Sequence, residues 1–232
     1  MRAIEMTTPD FAGLDPRILD DLRPVRPLAR PWKRSLAVTA LGLLAALTVT
    51  ARFGVRPDAV ALGPAMLWGL SVVQAAYGLV LIVAALRTAI PGRAFAARTG
   101  GALLAIGLLI VLAITYLTWL THPSHVPATS GAAAAYFRIC LRTPVLVGLP
   151  LLTLTLFLVF RAYPTRPGLT GALAGFGAGL LADGSWRTYC EVTDPAHVLT
   201  THFASVALLT LAGIVLAQVF SRVVPGAPAR RR

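Results

Sequence analysis

Six apolar runs, each near the length of a membrane crossing, constrain this chain more than any other feature. They fall near Ser35–Ala51, Ala65–Leu86, Gly101–Leu120, Thr143–Phe160, Gly168–Ser185 and Val198–Phe220. A helix rising ~1.5 Å per residue needs about 20 residues to cross ~30 Å of hydrocarbon. Lipid offers no partner to backbone polar groups, so such runs form helices rather than strands. Composition agrees: 56% of the 232 residues are hydrophobic and 13% are charged, against roughly 25% charged in a soluble domain. The expected fold is all-α, a six-span membrane domain over residues 35–220. A polar segment, 1–34, precedes it and a basic tail, 221–232, follows it. The first run reads as a retained span, not a cleaved signal, because the long segment before it carries Glu5, Asp10, Asp15, Asp20 and Asp21.

The net charge of +12 does not point to nucleic acid. The basic residues gather at the ends of the apolar runs, where they set topology. With the N-terminus inside, sixteen of the 21 Lys and Arg lie on the cytoplasmic side. The other side keeps Arg52, Arg56, Arg138, Arg142 and Arg187, together with Asp58, Asp183, Glu191 and Asp194. An N-in, C-in arrangement follows. The lipid bilayer is then a partner, and direct nucleic-acid binding is not expected.

The fifth run, written GALAGFGAG at its centre, resembles a phosphate loop only superficially. A dinucleotide fingerprint needs G-x-G-x-x-G between a strand and a helix, and no such unit surrounds it. Gly171, Gly175 and Gly179 instead recur every four residues on one helix face. Small residues at that spacing let membrane helices pack closely. Gln74 is the most polar residue near any midspan and reads as an interhelical hydrogen bond. No ionisable residue falls near a midplane, which speaks against an ion-coupled transporter.

Both cysteines and all four histidines fall on the predicted outer side: His122, His125, Cys140, Cys190, His197 and His202. Three readings stay open: a structural disulfide, inert thiols, or a redox- or metal-sensing group. The spacing matches no tight metal motif, so the histidines are weak ligand candidates. Labelling of reduced Cys140 and Cys190 by a membrane-impermeant reagent is expected on this topology. Two outer thiols also raise a membrane thiol–disulfide oxidoreductase, although the C-x-x-C that favours fast exchange is missing. No nucleophile–base pair or carboxylate pair appears. The chain reads as a non-enzyme with no cofactor.

In the polar segment, Asp15-Pro16 is a helix start and Pro24 a stop. Phe11, Leu14, Ile18, Leu19 and Leu22 form an apolar stripe. Surface-lying membrane helices are rich in Lys and Arg, whereas this one carries acids. Docking into a groove of a soluble partner fits better.

Three stretches carry a resemblance to a known family. They are LRPVRPLARP (Leu22–Pro31), GVRPDAVAL (Gly54–Leu62) and RAYPTRPGLTGALAGFGAGLLADGSWRTYC (Arg161–Cys190). In this order, with six spans, they resemble the NrsF-type bacterial membrane anti-sigma factors, negative regulators of sigma F. The resemblance implies that the cytoplasmic N-terminal segment holds an extracytoplasmic-function sigma factor inactive at the cytoplasmic membrane. It also implies that Cys140 and Cys190 take part in perceiving an extracytoplasmic stress signal, which releases the sigma factor. The sequence departs from the family at Tyr189, where a histidine is usual, and at Thr201-His202, where an aromatic pair is usual.

Overall fold

The computed structural model describes residues 29–90, 92–124, 130–162 and 164–223. The segment bearing Phe11, Leu14, Ile18, Leu19 and Leu22 lies outside the described residues, as do His125 and residues 224–232. Among the described residues the chain forms six long helices and no strand. They are α1 (Pro31–Phe53), α2 (Ala59–Thr88), α3 (Ala97–Thr121), α4 (Ser130–Phe160), α5 (Pro167–Trp186) and α6 (Pro195–Val223).

Five of the six are long and apolar enough to cross a membrane; α5, the glycine-rich one, is not among them. It is also the most enclosed. Every residue from Thr170 to Gly184 is buried, as befits a helix surrounded by others. It packs against α6, α2 and α4. The peripheral helices leave Leu43, Leu47, Val72, Leu109, Leu120, Phe157, Leu211 and Val215 exposed, the surface a bilayer would cover. α5 thus gives up hydrophobicity for small size, which costs nothing where no lipid reaches it.

The helices run longer than the apolar runs because their ends include charged or proline-bearing turns. Proline at the first helical position opens α1, α5 and α6, where its missing N–H is no loss. α1 closes on Gly54, whose φ of 85° suits a residue without Cβ; its N–H returns to Thr50 O. α2 is interrupted near its start. Gly63 turns out at φ 75°, Pro64 follows, and Ala65–Gly69 forms a π-helical turn. The proline displaces its predecessor from helical geometry, and glycine accommodates the break. α4 begins at Ser130 rather than near Thr143. Its first turns carry Arg138 and Arg142 ahead of the apolar run, so Cys140 lies inside the helix.

Successive helices reverse direction. At one end the 53–59 and 186–195 connectors meet: Arg56 N–H donates to Thr188 O, and its guanidinium donates to Glu191 O at 3.0 Å. The α3–α4 connector joins them through Ser124, which bonds Thr193 and Glu191. At the opposite end Arg166 donates to Phe95 O, and the Phe160 and Phe220 rings lie 5.3 Å apart.

Candidate functional site

The α5–α6 contact leads into the site. A methyl group on Gly171 would overlap the Gly213 carbonyl, and one on Gly175 the Leu209 carbonyl. One on Gly179 would lie 2.9 Å from Val206 Cγ1. The stripe therefore faces another span of the same chain. Gly177, on another face, abuts α2: a methyl there would sit 2.7 Å from Gly78 O. Backbones this close leave no room for side chains, so α5 is held on two sides at once.

One further step of four residues along the same row brings Asp183. It is 3% exposed and opposite His202, whose Nδ1 donates to Asp183 Oδ1 at 2.7 Å. Gln74 of α2 donates to the other carboxylate oxygen, also at 2.7 Å. Gln74 thus makes the interhelical hydrogen bond expected of it, and its partner is an acid. Asp183, grouped by sequence with the outer-side charges, is buried within α5. α5 continues to Trp186, and the last turn is enclosed by α2 and α6.

Both cysteines adjoin this pair. Cys140 is fully buried and Cys190 is 4% exposed; both are free thiols with Sγ atoms 3.6 Å apart. Surface labelling of these thiols is therefore not expected of the folded chain. The hydrogen bond with Cys140, reinforced by burial, pushes the Cys190 thiol above its ordinary range. Cys190 Sγ also lies 3.7 Å from His197 Nε2. Phe53, Trp186 and Tyr189 form an aromatic wall beside the thiols, with centroids 4.7–5.2 Å apart. Tyr189 packs on both other rings of this wall.

α6 is shaped to bring its two histidines here. Asp194 caps its start, accepting from Ala196 N–H at 2.8 Å. Val198–Phe203 then forms a π-helical turn. Bonding from i to i+5 spreads a turn over more residues than an α-helix does. Residues five apart, His197 and His202, are thereby drawn toward one face, with ring centroids 5.6 Å apart. One ligand atom from each of Cys140, Cys190, His197 and His202 lies within 4.8 Å of the others. His122 does not join them. It turns to Ala61 O at 2.9 Å and stitches α3 to the start of α2.

Two arginines adjoin the Asp183–His202 pair. Arg56 and Arg187 line a small polar cavity with Gln74, Asp183 and His202. Burial pulls the Arg187 guanidinium below its usual range, against the opposing charge of Asp183. Arg56 is bonded in two places to Asp58. Burial alone would raise the Asp58 carboxyl, but Arg56 outweighs it and holds it below the usual range.

Residue reasoning missed Asp183 and the π-helical turn. The first was readable: the row Gly171, Gly175, Gly179 continues by four to Asp183. The second leaves no mark in apolar periodicity.

An apolar exterior and five helices long and apolar enough to cross a membrane are consistent with a multi-pass helical membrane protein, with a buried thiol–imidazole cluster at one end. Residues 19–222 match the family described as NrsF, negative regulator of sigma F, and the chain belongs to that family of anti-sigma factors. No curated protein and no solved structure matches it.

Proposed function

We propose that the protein is a membrane-bound anti-sigma factor. Its N-terminal segment, 1–34, captures an extracytoplasmic-function sigma factor on the cytoplasmic side of a bacterial inner membrane. The stripe Phe11, Leu14, Ile18, Leu19 and Leu22 is the docking face. A stress signal received outside, at Cys140 and Cys190, weakens that grip and frees the sigma factor. Family membership over residues 19–222 carries the regulatory half of this reading. The Cys140–Cys190 approach of 3.6 Å carries the sensory half, because two thiols so placed respond jointly to oxidants or metals.

Signalling of this kind needs two bundle states that differ in tail affinity. The α5–α6 seam is the contact through which the thiol end would act on the rest of the bundle. Co-purification tests the regulatory half. The full-length chain in mild detergent retains its sigma factor, and a chain lacking residues 1–28 does not. Retention by both would overturn the assignment of the docking face.

The close thiol pair keeps a second reading, a thiol–disulfide oxidoreductase. Burial of both sulfurs weighs against direct exchange with a bulky dithiol. Turnover of a dithiol substrate with quinone by the purified protein would revive it.

A further inference from the structure

A disulfide uses two of the four groups gathered at the cysteine end and leaves the imidazoles without a task. Their geometry supplies one. His202 is 4% exposed, its Nδ1 donates to Asp183, and its Nε2 has no hydrogen-bond partner among the described residues. In a neutral imidazole held this way, Nε2 carries a lone pair. A buried lone pair with its tautomer fixed by a carboxylate is the arrangement of metal-binding histidines. One ring nitrogen of His202 lies within 4.8 Å of both sulfurs and of a His197 nitrogen.

The spacing fits a tetrahedral ion. Bonds of about 2.3 Å to sulfur and ~2.0 Å to nitrogen put the ligand atoms roughly 3.3–3.8 Å apart. The Sγ–Sγ distance of 3.6 Å and the Sγ–Nε2 distance of 3.7 Å already match. The wider separations need a contraction of about 1 Å. Two sulfurs and two imidazoles also form the donor set preferred by a thiophilic d10 ion. The ligands come from α4, the α5–α6 connector and α6, so an ion would tie three segments that are otherwise joined by packing.

We infer that Cys140, Cys190, His197 and His202 bind one thiophilic metal ion of the zinc(II) class, with Asp183 orienting His202 and Gln74 orienting Asp183. Binding replaces two S–H bonds with two metal–thiolate bonds and releases two protons to solvent; no electron changes hands. The dication, two thiolates and two neutral imidazoles sum to zero charge, which suits a buried site. The inference rests on the reading of the cysteine end as the signal-receiving end, and names the class of ligand received there.

The test uses the full-length chain in detergent, reduced, metal-stripped and kept anaerobic. It is titrated with cobalt(II), a coloured probe of zinc sites, and sigma retention is measured on the same samples. The expected result is one cobalt per chain, with a thiolate-to-metal charge-transfer band and tetrahedral ligand-field bands, displaced by zinc(II). Asp183→Asn keeps that stoichiometry but weakens binding about 10–100-fold. Cys190→Ser abolishes the charge-transfer band or shifts it. His197→Gln and His202→Gln, each checked for folding by circular dichroism, weaken binding by about tenfold or more.

No binding by the reduced wild type overturns the inference. So does binding that neither histidine change affects, since the site would then be thiols alone. Metal bound in the predicted way with no change in sigma retention leaves the site standing and overturns the sensory reading instead.

Discussion

Along the α5–α6 contact, Gly171 and Gly175 lie directly against the α6 backbone and Gly179 against Val206, while Asp183, next in the same row, meets His202 through a buried hydrogen bond. The glycine stretch tolerates nothing larger and carries no chemistry. The polar end is built of residues that are costly to bury and are retained only with partners. Gly177 against Gly78 and Gln74 against Asp183 repeat the same pairing of rules on the α2 side. Close backbones at the glycines set the helix separation, and that separation puts Asp183 within reach of Gln74 and His202 together.

The comparison can be broken at several points. The largest effect is expected at the seam. Gly175→Leu drives a side chain into the α6 backbone at Leu209. Overpacking costs about 1–3 kcal/mol where neighbours can yield, and a backbone cannot, so loss of the folded bundle is expected in detergent unfolding. Gly101→Leu, at an open helical glycine, changes stability by no more than about 0.5 kcal/mol and serves as the control. Equal behaviour of the two would refute the seam.

Next comes Asp183→Ala. It leaves the donors of His202 and Gln74 buried without an acceptor. Breaking one member of such a pair costs about 3–5 kcal/mol, readable as a lowered unfolding midpoint. Gln74→Leu removes only one hydrogen bond and is expected to cost about 0.5–1.5 kcal/mol. A larger loss from Gln74 than from Asp183 would invert the hierarchy drawn here.

The smallest effect belongs to the rim. Asp58 is held in its charged form by Arg56. A depressed carboxyl contributes stability that is fully present above its unfolded value, about pH 4. The contribution is lost as pH falls through the lower folded value. Asp58→Asn is expected to cost about 0.2–1 kcal/mol at neutral pH and to remove this dependence, seen by comparing unfolding midpoints at neutral and acid pH.

The helices were legible because lipid leaves an apolar run few alternatives. Their ends were less so: Arg138 and Arg142 masked the early start of α4, and Pro64 with Gly63 concealed a break inside a continuous apolar run. The glycine face was legible from its four-residue period. Reading that row as purely apolar stopped it at Gly179, because an aspartate near a helix end looks like a surface residue. The cysteine–histidine cluster was legible only as a shared side of the membrane. Cys140 and Cys190 are 50 residues apart in sequence, and the register of His197 with His202 depends on a π-helical turn. Those facts belong to packing, which no local spacing encodes.

The central claim is that events at the thiol end govern sigma-factor capture by the N-terminal segment. It is tested by measuring the sigma factor held by membranes containing the full-length chain, wild type against Cys190→Ser, before and after zinc chloride and, separately, diamide. The account predicts that both chains hold the sigma factor at rest, and that at least one treatment releases it from the wild type while Cys190→Ser retains it. Release from both chains alike, or from neither under either treatment, would contradict it.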